Sequence, residues 1–135
     1  MRKSHLWNQN AAGNFFPLPN ALFRLNLCAG EIAVYAYLMF RENRQTYQCY
    51  PSYKTIGKAI HMSANTVRKH VRGLEEKHLI YTEPTSVITK KGEKRNGTLL
   101  YTLRPIQEAI DFMREQERMQ AEQELLKMEL RQRVS

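Results

Sequence analysis

The chain has 135 residues, 42% apolar and 25% charged, enough for one ordinary domain with a core and too few for two of typical size. Its net charge of +8 is unevenly spread: residues 1–105 hold 16 Lys and Arg against 6 Asp and Glu, whereas residues 106–135 hold 5 against 7. Two cysteines exclude a disulfide framework and a structural zinc site, and no apolar run approaches the ~20 residues that cross a bilayer. The basic excess lies among folded elements rather than in a tail, which implies a polyanionic partner and favours nucleic acid over a membrane. With no secretory signal after Arg2 and Lys3, the chain is expected in the cytoplasm, with Cys28 and Cys49 as half-buried reduced thiols.

Residues 1–14 are polar, rich in Asn and Gln, and read as an N-terminal arm whose Trp7 packs on the body. Residues 15–27, FFPLPNALFRLNL, carry two prolines that bar a long helix at their start. Phe15, Phe16 and Phe23 are expected to lie across the domain, with a short helix over residues 20–24. Residues 29–42 form a helix apolar on more than one face (Ile32, Val34, Tyr35, Ala36, Leu38, Met39, Phe40), which belongs at the centre of the core. Residues 43–48 read as a polar turn, and Pro51 suits the start of the next helix.

The stretch 52–81, SYKTIGKAIHMSANTVRKHVRGLEEKHLIY, holds two short helices and a tight turn. Ile56, Ala59 and Ile60 recur at helical spacing, then Val67, Val71 and Leu74 repeat the pattern after the turn at Met62. Ser63 is placed to cap the second helix by accepting from the amide of Asn65 or Thr66. At about 100° per residue, Val71 and Leu74 fall within roughly 40° of Val67, and Asn65, Lys69 and Arg72 face the other way. Arg68 lies on the flank, with Ala64 and Thr66 near the N-terminal end. Asn and Arg can contact base edges in bidentate fashion, and Lys, Arg and Thr can hold phosphates, as can a helix N-terminus. Ser52, Lys54 and Thr55, at the start of the first of these helices, are further phosphate candidates.

After the second helix, residues 79–82 read as a strand, and residues 87–89 and 98–103 as the strands of a hairpin. Its loop, KKGEKRNG, carries Lys90, Lys91, Lys94 and Arg95 against Glu93, a basic wing suited to phosphate contact. Residues 105–134 form a long helix with Pro105 near its start. Phe112, Met119 and Leu126 recur every seven residues, with Ala109, Gln116, Gln123 and Leu130 alternating, a weak heptad. Two readings of this helix stand. In one, Phe112, Met119, Leu126 and Leu130 form a homodimer contact; in the other, Ile106, Ile110 and Met113 cap the core and the remainder is solvated.

The runs GEIAVYAYLMF and YPSYKTIGKAIHMSANTVRKHVRGLEEKHLI resemble the winged helix-turn-helix domains of bacterial DNA-binding proteins, in particular a group with Pro-Ser at the start of the second helix that is common on mobile elements. FFPLPNALFRLNL is similar to the lead-in of plasmid and phage replication-initiator N-terminal domains. The resemblance implies a mainly α fold with a small β wing. It divides the chain into an arm (1–14), a winged domain (15–104) and a C-terminal helix (105–135). It also implies that residues 63–77 enter a major groove, that the loop at residues 90–95 follows the backbone or minor groove, and that the chain dimerises. Two positions depart from the family pattern: His61 stands where the turn usually has Gly, and Gly57 where the helix crossing usually has Ala.

No catalytic constellation is visible: the four histidines show no ligand spacing, no glycine loop cradles a phosphate, and no nucleophile has a motif-borne base. His70 and His78 read as half-buried and hydrogen-bonded. The expectation is a non-enzymatic, sequence-specific binder of double-stranded DNA that regulates transcription, without cofactor, metal or small-molecule ligand and with no room for a separate sensor domain. Two alternatives remain open: a replication or transfer accessory factor of a mobile element, and a protein-interaction module on a winged scaffold, which would not need the outer cations.

Overall fold

The structure, a computed structural model, describes residues 14–134; the expected arm and Trp7 lie outside the described residues except for Asn14. A single 3₁₀ turn, Asn20–Arg24, leads into helix α1, Ala29–Arg41. Of the lead-in side chains, Leu22 and Leu25 enter the core, whereas Phe15 and Phe23 stay exposed and Phe16 lies half-buried, 6.2 Å from the Phe40 ring. The expectation that the phenylalanines lie across the domain is corrected here. The 3₁₀ turn presents Leu22 inward, and that places Phe23 outward.

Helix α1 buries Glu31, Val34, Tyr35 and Leu38 on one face and packs against α2, Tyr53–Ile60, and α3, Ala64–Glu76. Its wide apolar surface is only partly covered, since Phe40 is exposed beside Tyr37 and Phe16. From α2 the core takes Ile56, and from α3 it takes Val67, Val71 and Leu74, the stripe that the 3.6-residue period predicts.

Residues 43–48 do turn, with the Asn43 side chain accepting from the Gln45 and Thr46 amides. The turn ends in a short strand, β1 (Gln48–Cys49), for which two residues leave no periodic signal. Strand β2, Ile80–Glu83, and strand β5, Leu100–Leu103, complete a three-stranded antiparallel sheet in the order β1-β5-β2. Tyr101 sits at its centre, opposite Cys49 and Thr82, and is fully buried.

The wing is a separate two-stranded hairpin, β3 (Ser86–Ile88) with β4 (Lys94–Asn96). Here the expected pairing of residues 87–89 with 98–103 is corrected, because the latter pair with β1 and β2 instead. The turn is made by Thr89 to Gly92: the Gly92 amide donates to the Thr89 carbonyl at 2.9 Å, the Thr89 amide donates to Glu93, and Gly92 takes φ 80°. That geometry is a type I turn closed by a left-handed residue, a three-residue hairpin loop. Asn96-Gly97, the stronger turn signal in the sequence, lies past the hairpin, where the Gly97 amide donates to the Thr85 carbonyl. A Cβ on Gly97 would fall 2.5 Å from the Thr85 hydroxyl, so this glycine serves close approach. Lys94 and Arg95 consequently stand on a strand, opposite Ile88 and Val87, and only Lys90 and Lys91 occupy the turn.

Helix α4, Ile106–Val134, docks only by its first turns. Ala109 is buried, Ile106, Ile110 and Met113 pack partly against the core, and Phe112 stacks on His78 at 4.0 Å with an interplanar angle of 15°. Every residue from 114 to 134 is exposed. No helix among the described residues is long and apolar enough to cross a membrane.

Candidate nucleic-acid interface

Helix α3 begins where its sequence provides a cap. Ser63 accepts from the Thr66 amide at 3.2 Å, and its hydroxyl bonds the Thr66 hydroxyl at 2.9 Å. The same device starts α2, with Ser52 accepting from the Thr55 amide at 3.0 Å. Between the two helices His61 holds φ 59°, and the Met62 amide returns to the Gly57 carbonyl at 2.9 Å, closing α2 with a left-handed residue. A Cβ on Gly57 would lie 2.3 Å from the Met62 carbonyl oxygen, so not even alanine fits here without movement.

With its core stripe inward, α3 leaves Ala64, Asn65, Thr66, Arg68, Lys69 and Arg72 exposed. Asn65, Arg68, Lys69 and Arg72 line an open groove of about 590 Å³ that runs to the start of α1. A second notch of about 440 Å³ lies at the α3 N-terminus, between Lys54 and Lys58 of α2 and His61, Met62 and Ala64. First-turn amides of α3 that have no intrahelical acceptor and two lysines meet there, an arrangement suited to a phosphate. Lys90, Lys91, Lys94 and Arg95 are all exposed on the wing, with Arg95 loosely paired to Glu93 at 3.5 Å.

The pose of α3 is set by close contacts with α1. A Cβ on Gly30 would lie 2.2 Å from the His70 ring, and one on Gly73 would lie 2.0 Å from a Glu31 oxygen. Glu31 caps α1 by accepting from the Cys28 amide at 3.0 Å and pairs with Lys77 at 2.8 Å. Burial alone would lift its carboxyl, but the Lys77 hydrogen bond, the Cys28 amide and the Lys77 charge outweigh that and hold it below the ordinary value of 4.5. Lys77 also donates to the Asn26 carbonyl at 3.1 Å, which ties it to the body although the resemblance counted it with the groove helix.

Residues 25–80 match the family model described as a helix-turn-helix domain. Within this segment α2, the turn at His61 and α3 form a helix-turn-helix. Together with the β3–β4 wing it has the winged helix-turn-helix fold. A possible transcriptional regulator from Methanosarcina mazei Go1 superposes with a TM-score of 0.50 at 18% identity, covering 76% of this chain and 80% of that one. MepR of S. aureus in a DNA complex gives 0.42 at 20% identity over 94% of each chain. ZitR of Lactococcus lactis (a cysteine-to-serine mutant in complex with DNA) gives 0.40 at 17%, over 90% of this chain and 76% of that one. The fold likeness rests on the first of these, and no curated protein sequence matches the chain.

Three features of the helix-turn-helix domain escaped the sequence reading. Lys58 shares the α3 notch with Lys54, a pairing that their four-residue spacing on α2 signals. Tyr50, 71% exposed, and Arg41 line a groove of about 1020 Å³ between the start of α2 and the wing. Only β1 pairing brings them there. His78 is exposed and stacked rather than half-buried, whereas His70 is half-buried with its Nδ1 3.6 Å from the Cys28 sulfur. Cys28 is itself exposed, and Cys49 is buried, with its thiol pushed up to about 11 by burial and the nearby Glu42 charge.

Proposed function

We propose that this protein binds double-stranded DNA with sequence preference and acts as a transcriptional regulator. In this reading α3 enters the major groove, and Asn65, Arg68, Lys69 and Arg72 face the bases and flanking phosphates. Ser63, Ala64 and Thr66, with Lys54, Lys58, Ser52 and Thr55, hold backbone phosphate at the helix starts. The wing cations follow the neighbouring backbone. The observation that carries the proposal is that the outer face of α3, the notch at its N-terminus and the wing are all cationic and all exposed. The charge excess of residues 15–104, 14 Lys and Arg against 6 Asp and Glu, has no other evident use. The match of residues 25–80 to a helix-turn-helix domain is in keeping with it.

Selection of bound duplexes from a random pool tests this directly. A consensus should emerge, and affinity for it should fall with salt at a log–log slope of about −5, near −0.9 per phosphate contact. Recovery of no duplex above background, with a folded protein, overturns the proposal.

A further inference from the structure

The structure leaves residues 114–134 of α4 as a helix about 30 Å long in which every residue is exposed. Of its exposed apolar residues, Met119, Leu126 and Leu130 share one face, whereas Leu125 and Met128 lie off it. On the helical wheel Met119, Leu126 and Leu130 fall within about 40° of one another, and Gln116 and Gln123 complete the same stripe. In heptad terms the first seam position is Gln116, Gln123 and Leu130, and the second is Met119, Leu126 and Arg133. The segment carries five Lys and Arg against five Asp and Glu, so unlike the domain it does not repel a copy of itself and offers nothing to a polyanion.

We infer that this segment is the seam of a two-stranded coiled coil with a second copy of this chain, and that the two helices run parallel. Two observations decide the direction. Flanking the seam on one side stand Glu115, Glu122 and Glu129, two of them bonded by Arg118 of their own helix. On the other side stand Gln120, Lys127 and Val134. Parallel helices set the first flank against the second, so Glu122 meets Lys127 of the other copy and no carboxylate meets a carboxylate. Antiparallel helices set the acidic flanks against each other along their whole length. The seam glutamines point the same way. In a parallel pair each amide faces its own counterpart and can bond it, whereas a fully overlapping antiparallel pair sets Gln123 against Leu126 and leaves its amide buried without a partner, with Gln116 against Arg133.

A parallel stalk sets both winged domains at one end. If the DNA reading also holds, the bound site is an inverted repeat with half-sites about one helical turn apart.

The test uses the full chain without DNA. Sedimentation equilibrium should show a reversible dimer at micromolar concentrations. Leu126→Lys with Leu130→Lys should weaken it by roughly tenfold or more, with the thermal transition of the domain unchanged because these side chains lie outside its core. Glu122→Lys should weaken it several-fold, and adding Lys127→Glu should restore it. For direction, Gln116→Cys and Leu130→Cys variants are mixed and oxidised in a Cys28→Ser background. Parallel packing yields 130–130 and 116–116 disulfides. A monomer at all concentrations, or 116–130 disulfides alone, overturns the inference. A stable dimer that ignores all duplexes sinks the DNA reading and leaves this one standing. A monomer with salt-sensitive duplex binding does the reverse.

Discussion

Two histidines occupy backbone positions where glycine is the easier residue. His61 ends α2 at φ 59°, and His78 follows α3 at φ 63°. At the second, the Leu79 amide returns to the Leu74 carbonyl and the His78 amide to that of Glu75, a Schellman closure. Their consequences differ because their rings differ in surroundings. His61→Gly should stabilise the domain by about 0.5–1 kcal/mol in denaturant melts, since only strain is removed. His78→Gly should not, because it also loses the ring that holds Phe112. Gly57→Ala should cost about 1–3 kcal/mol despite better helix propensity, since the new methyl meets the Met62 carbonyl. Glu31 and Glu42 should respond to acid with opposite sign. The Glu31 carboxyl is lower in the folded state, so its contribution is complete above pH 4.5 and fades as pH falls through the folded value. Burial, only partly offset by Arg44, raises the Glu42 carboxyl, and its Oε2 is buried without a hydrogen bond. Glu42→Gln should therefore raise Tm at neutral pH, and the gain should vanish below pH 4.5, where both forms are uncharged.

At the scale of elements, α3 and the wing should be separable by the kind of loss each produces. Arg72→Ala or Asn65→Ala should relax sequence preference at a cost of about 1–3 kcal/mol for the preferred duplex, measured by competition between selected and altered sites. Replacing Lys90, Lys91, Lys94 and Arg95 with Gln should weaken all duplexes alike and reduce the magnitude of the salt slope by up to about 0.9 for each lost phosphate contact. Parent-like binding by every one of these variants would mean that the surface has been assigned wrongly. The elements also differ in how openly the sequence announced them. Thirteen-residue α3, with its cap and three-residue stripe, was plain from periodicity alone. The wing was plain as a basic hairpin but not in register. Its loop holds two glycines, Gly92 and Gly97, and only the strand partners of Leu100–Leu103 show which of them turns the chain.

For the whole molecule, thiol reactivity offers a check on the packing: Cys28 should label rapidly in the native state and Cys49 only on global unfolding, because Cys49 is sealed between the sheet and α1, donating to the Leu38 carbonyl at 3.6 Å. Composition and local pattern by themselves determined the three-helix core, the order of the helices, the outward set Asn65, Lys69 and Arg72 and the placement of charge. Each of these follows from the 3.6-residue period or from counting residues, and needs no knowledge of what lies across the core. Tertiary structure alone decided the rest. It gave Gln48–Cys49 a strand by pairing them with β5, brought Tyr50 and Arg41 beside the wing, fixed Lys77 to Glu31, and left the end of α4 uncovered. Those outcomes depend on contacts between residues far apart in the chain, such as Gln48 and Thr102, which are 54 apart, and no local pattern encodes which of many chemically acceptable partners will be within reach.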